Sequence, residues 1–230
     1  MDSVFLNGFS LEILMDNSSV EKVIHKNFNY FALPDRSEYV LKLGNDNGTK
    51  TDAHVWIDNE KMGVWRIHPY SKVLIERPAN INRKFVLLKE GTTHAKEADI
   101  QNQVSSNGLI KIIFKPEKTN QYVTSNFVND TYYNNQSFDP TGVQYLCKSY
   151  TDTVTPVDKI HRFCAMNDES YSRYVSATLT PAGTALGDTS QQRFRKVEPL
   201  ESIDEMSITT LYARLVVDDE KSTTKKTYMG

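Results

Sequence analysis

Two cysteines, Cys147 and Cys164, are all that the 230-residue chain contains. They lack Cys-X-X-Cys spacing, so the sequence predicts two partly buried free thiols of a reducing compartment rather than a disulfide framework. Charge of one sign is also missing. Lys and Arg total 27 against 29 Asp and Glu, a formal charge of -2 with a pI near 6.2, which leaves no global basic field for nucleic acid or an anionic membrane surface. No run approaches the roughly 18 apolar residues of a membrane span. The opening MDSVFLNGFSLEILMD carries Asp2 and Glu12 where a secretory signal needs a basic start and a longer apolar core, so no signal peptide is expected. On that expectation the four Asn-X-Ser/Thr sequons at Asn17, Asn47, Asn129 and Asn135 are by-products of an Asn- and Thr-rich composition.

Catalytic signatures are equally scarce. Neither a Gly-rich phosphate cradle nor a Gly-X-Ser-X-Gly elbow is present. His161 and Cys164 are close in sequence, but residues three apart in a strand point to opposite faces, so they do not form a nucleophile pair there. His54, His68, Asp58 and Glu60 are the one grouping with metal-ligand chemistry. Here His54 points to the face of Trp56 while the two carboxylates sit in a turn, so three ligands do not converge and neither metal nor cofactor is expected. Carboxylates paired through space leave no local signature, so a hydrolase stays open as a third reading; the sequence as a whole predicts no enzyme.

What is present is strand-forming material: 12 Tyr, 10 Phe, 39% hydrophobic residues and a mean hydropathy of -0.51, polar for a globular chain but not the composition of a disordered one. Phe9, Leu11 and Ile13 alternate as in a strand, and Ser19 to Lys26 is read as a short helical turn with Val20, Val23 and Ile24 on one side. Tyr39, Leu41 and Leu43 alternate next. The central stretch, Ala53 to Pro78, reads as a meander of three antiparallel strands broken at Asp58–Lys61 and at His68–Ser71. If its first hairpin turns at Asn59-Glu60, Trp56 and Trp65 share a face, as core residues or as a sugar-stacking platform. Arg66 and Arg77 need partners, for which Glu76 and Asp58 are nearest. The Asp58–Lys61 turn is expected to be an exposed contact point.

Further strands are expected at Arg83–Lys89, at Leu109–Lys115 as a central strand, at Ile160–Met166, at Arg173–Leu179 with Pro181-Ala182-Gly183 as its break, and at Ile208–Val217, which would close a sheet. Lys96 to Asp99 is a helix or a surface loop. About ten short strands at this spacing predict an all-β antiparallel sandwich of jelly-roll type with long loops and little helix. Residues 1–217 would form one domain, with 1–35 an extension partly packed on it and 218–230 a flexible tail. From Pro116 to Pro156 the texture turns to Asn, Thr, Tyr and Asp, typical of long loops that carry contacts; Tyr122, Tyr132, Tyr133, Phe138 and Tyr145 are the candidate contact residues.

Two blocks carry a resemblance. Tyr39-X-Leu41-X-Leu43, Asp52-Ala53-X-Val55-X-Ile57-Asp58-X4-Gly63-X-Trp65-Arg66-Ile67, Ile75-Glu76-Arg77-Pro78 and Arg83-Lys84-Phe85 form the first. Gly183-X2-Leu186-Gly187-X2-Ser190-X-Gln192-X-Phe194 with Ile208-Thr209-Thr210-Leu211-X2-Arg214-Leu215-Val216 forms the second. Together they resemble an uncharacterised β-rich protein family of nucleocytoplasmic large DNA viruses, the mimivirus-like and chlorella-virus-like group. The resemblance implies a non-enzymatic structural or assembly protein (minor capsid, vertex or surface component) located in the virion or host-cell cytoplasm, with self-association or capsid proteins as partners. The alternative is a carbohydrate- or receptor-binding β-sandwich module.

Overall fold

Alternation governs the first elements. In the computed structural model, which describes residues 2–25, 27–119 and 179–219, β1 (Ser3–Leu6) and β2 (Phe9–Met15) form a hairpin closed by Asn7-Gly8. Both turn residues have positive φ, 51° and 77°, the two-residue geometry whose twist matches that of the flanking strands. Phe9, Leu11 and Ile13 project inward and are buried, as are Leu41 and Leu43 on β7 (Val40–Asn45). β7 pairs with β2 along Phe9↔Asn45 to Leu14↔Val40.

Of the stretch expected as a helical turn, residues 19–25 are described and are not helical. β3 (Ser18–Ser19) pairs with the end of β2, and β4 (Lys22–His25) pairs antiparallel with β5 (Phe28–Leu33). The β-branched pair Val23-Ile24 suits a pleated strand, and both side chains are exposed instead of sharing a buried helical stripe.

The central stretch departs from a simple meander. β8 (Thr51–Ile57) and β9 (Glu60–Ile67) form the expected hairpin, but β10 (Ser71–Ile75) pairs with β7. His68-Pro69-Tyr70, with Tyr70 at φ 52°, carries the chain from one sheet to the other. The hairpin turn falls at Asp58-Asn59, φ 52° and 68°, and Met62 bulges between the pairs Val55↔Gly63 and Trp56↔Lys61. Ala53↔Trp65 then puts Trp65 on the inner face with Val55 and Ile57, while Trp56 points the other way. The two rings therefore do not share a face, because a one-residue change in register moves a side chain across the sheet.

β11 (Arg83–Lys89), a one-turn helix α1 (Thr93–Glu97) capped by the Thr92 hydroxyl, β12 (Leu109–Pro116), β13 (Leu179–Thr189) and β14 (Thr209–Asp218) complete the described elements. Pro181-Ala182-Gly183 does not break a strand but lies inside β13. Pro181 is the last residue paired with β14, and from Ala182 onward β13 pairs with β11. Proline is tolerated there because the ladder changes partner at that point. β14 is an internal strand rather than a closing edge: it pairs with β12 and β13 antiparallel and with β5 in parallel.

The fourteen strands of the described residues form two sheets, β1-β2-β7-β10 with β3, and β6 (Ser37–Glu38)-β11-β13-β14-β12-β8-β9 with β5 and β4. The architecture is mostly antiparallel all-β, with neither sheet closed. The sheets pack through a shared core in which Phe9 of the first stacks on Phe114 of the second at 4.5 Å. Ile110, Ile112 and Phe114 on β12, and Leu211, Ala213 and Leu215 on β14, continue that inner layer, each large side chain contributing roughly 1.5–3 kcal/mol by leaving water. All described residues fall within one compact unit drawn from residues 1–119 and 172–230.

Candidate functional site

The two sides of this sandwich are finished differently. On one side an irregular segment, residues 190–203, straps the edge strands β9 and β10. Gln192 donates from Nε2 to the Leu74 carbonyl at 2.8 Å and accepts from the Glu76 N–H at 3.1 Å, the Ser190 hydroxyl donates to Glu76, and Arg66 donates to the Glu198 carbonyl at 2.9 Å. Phe194 anchors the strap. Its ring meets Trp65 edge-on at 5.6 Å and lies 4.3 Å under the Arg77 guanidinium, an arrangement that joins apolar packing to a cation–π contact. The two blocks of the resemblance, which are far apart in sequence, meet here.

Both arginines thereby differ from their expected pairing. Arg66 does sit in an ion pair, but with Asp52, its cross-strand neighbour, through two hydrogen bonds of 2.5 and 3.2 Å. Arg77 is buried and spends its guanidinium on the carbonyls of Gln192, Pro78, Ala79 and Ile81, which satisfies its donors without an ion pair among the described residues.

Among the described residues the opposite side is open: β1 pairs with β2 and β4 with β5, each along one edge. Phe5 is 58% exposed, Leu6 48%, Val23 45% and Ile24 62%. The two strands are tied by Lys22, whose Nζ donates to the Ser3 carbonyl at 2.5 Å. A second tie holds this side together, from Asn7 Nδ2 to the Thr209 hydroxyl of β14 at 3.2 Å. Edge strands that carry apolar side chains and unpaired backbone groups are templates for another chain.

A third feature is a cleft of about 960 Å³ between the β8–β9 turn, α1 and β13, with Asp58, Met62, Glu97, Ile100, Asn107 and Thr184 on its walls. Asp58, expected in an exposed turn, is half-buried. Its carboxylate accepts from the Gly108 N–H at 2.6 Å and the Thr184 N–H at 2.5 Å. Burial pushes its pKa up to about 7, against the lowering effect of those two amides and of Arg214. Thr184 also shares a 2.8 Å hydrogen bond with the buried Tyr39 hydroxyl. With both oxygens committed to backbone amides, Asp58 works as a staple joining the hairpin turn to β13 and to the start of β12.

Among the described residues no three His, Cys, Asp or Glu side chains gather as a metal site. The candidate contact residues Tyr122, Tyr132, Tyr133, Phe138 and Tyr145 lie outside the described residues, as do His161, Cys147, Cys164, the strand expected at 160–166 and nearly all of the one at 173–179, and the tail from residue 220. Sequence reasoning missed the open side, although the β-branched Val23-Ile24 beside a charged Lys22 was its signal. It also missed the strap, which has no periodicity to reveal it.

Fold and surface together define a β-sandwich-like, all-β protein with one strapped and one open side. No family model, no curated protein and no solved structure matches the chain. No helix of the described residues is long and apolar enough to cross a membrane.

Proposed function

We propose that the protein is a non-enzymatic structural or assembly protein of a large DNA virus, a minor capsid, vertex or surface component, that associates with copies of itself through the open side. The observation that carries the association is the exposure of Phe5, Leu6, Val23 and Ile24 on two edge strands, while the opposite edges are covered by the strap. Val64 and Leu74 on β9 and β10 are also exposed, but there the strap bonds across the edge, whereas β1 and β4 present apolar side chains with no strap across them, the kind of edge suited to adding strands. Two facing antiparallel sheets are also the layer architecture of jelly-roll coat domains, which supports the reading at that level. The viral setting is supported by the resemblance of the 39–85 and 183–216 blocks.

Light scattering over a concentration series tests the association. The wild type is expected to exceed monomer mass as concentration rises, and Phe5→Asp/Ile24→Asp, which places like charges on both strands, is expected to stay monomeric with an unchanged far-ultraviolet spectrum. A wild type that remains monomeric at high concentration contradicts the proposal.

A further inference from the structure

The outer face of the second sheet carries a positive row that neither the core nor the open side uses. In register across it stand Lys61 of β9, Trp56 of β8, Lys111 of β12 and Tyr212 of β14. Strands lie about 4.8 Å apart, so Lys61 and Lys111 flank Trp56 with their backbones about 10 Å apart. His54 stacks on Trp56 at 6.0 Å, and the Lys111 ammonium sits 5.4 Å from the Trp56 ring centre. Lys115 follows on β12. The carboxylate facing it in register, Asp52, is committed to Arg66, and Glu117 is paired with Lys50. Among the described residues none of Lys61, Lys111 and Lys115 forms an ion pair. Glu60, the first residue of β9 beside Lys61, is the nearest acid in sequence that forms no ion pair among the described residues. The imidazole of His54 feels the same field: burial first, then Lys115 and Lys61, lower its pKa.

We infer that this face binds an anionic glycan, a sulfated or uronate-rich saccharide whose acid groups meet Lys61, Lys111 and Lys115 while a sugar ring contacts the Trp56–His54 pair. Charge complementarity selects an anion. A saccharide fits better than single-stranded nucleic acid because a strand stacks successive bases on successive aromatic side chains, whereas the one tryptophan here already lies against His54 and Lys111 and a sugar ring needs only the edge of that pair.

The test uses the full chain at physiological salt with a short heparin oligosaccharide, against a neutral dextran oligosaccharide and an oligothymidylate of matched length. Calorimetry measures affinity, and tryptophan fluorescence reports on Trp56, because Trp65, the other tryptophan of the sequence, is buried. Saturable heparin binding with a fluorescence change is expected, weakened roughly tenfold or more in Lys61→Ala/Lys111→Ala/Lys115→Ala. The loss should be far smaller in Arg193→Ala/Arg195→Ala/Lys196→Ala, which removes as many charges from the strap. Trp56→Phe should abolish the fluorescence change and keep most of the affinity. Absence of heparin binding, equal losses in the two triple variants, or tighter binding of the oligothymidylate overturns the inference.

Discussion

Asp58 shows how one side chain acquires a role that its neighbours in sequence do not suggest. In an Asp-Asn turn an aspartate is ordinarily solvated. Here the turn folds against Gly108 and Thr184, whose N–H groups fill its oxygens, and burial raises its pKa to about 7 from 3.8. The folded carboxyl therefore keeps its proton to near neutrality while the unfolded one releases it near pH 4, so the folded state binds more protons between those values. Stability from this group falls as pH rises from about 4 to about 7 and is level above. Asp58→Asn, which cannot ionise, should lose that portion of the pH dependence, roughly 2–4 kcal/mol across the interval, measured as the difference between urea midpoints at pH 4.5 and pH 8. A variant with the wild-type slope would show that Asp58 is not the titrating group.

Elements were legible in the sequence where one face is buried. Phe9-Leu11-Ile13, Ala53-Val55-Ile57, Ile110-Ile112-Phe114 and Leu211-Ala213-Leu215 alternate cleanly, and each became a strand lining the core. What alternation could not reveal is which strand lies beside which. β10 looks like the third strand of a meander until His68-Pro69-Tyr70 turns it onto the other sheet. Register was equally hidden: the Met62 bulge separates the two tryptophans, and no local composition announces it. The strap is the other silent element, since residues 190–203 are held by side-chain hydrogen bonds and one aromatic anchor, with backbone bonds to Asn82 and Lys118 at its two ends. Removing that anchor with Phe194→Ala should free the strap while leaving the sheets folded, because Phe194 is only partly buried against the core. Limited trypsin digestion followed by mass spectrometry is expected to show cleavage after Arg193, Arg195 or Lys196 about tenfold faster than in the wild type, a loss of roughly 1.4 kcal/mol of local protection. Unchanged cleavage would mean that the hydrogen bonds alone hold the segment.

At the scale of the whole molecule, the candidate site was the least legible part. The candidate contact residues, Tyr122 to Tyr145, lie outside the described residues, whereas the open side is formed by β1, from residues 3–6 where no element is expected, and by β4, from a stretch expected to be a helical turn. Exposure of an edge is a property of the assembled sheets, and a helical reading of 19–26 concealed the strand that makes it. Two sheets sharing one core, strapped on one side and bare on the other, are suited to adding further chains along the bare side. The most direct test of that claim is amide hydrogen exchange of the wild type, dilute and concentrated, resolved by peptide. Residues 3–6 and 22–25 are expected to gain protection at high concentration while 60–67 and 71–75, beneath the strap, exchange at the same rate in both. Equal exchange of β1 and β4 at the two concentrations, or protection gained first at β9 and β10, would contradict it.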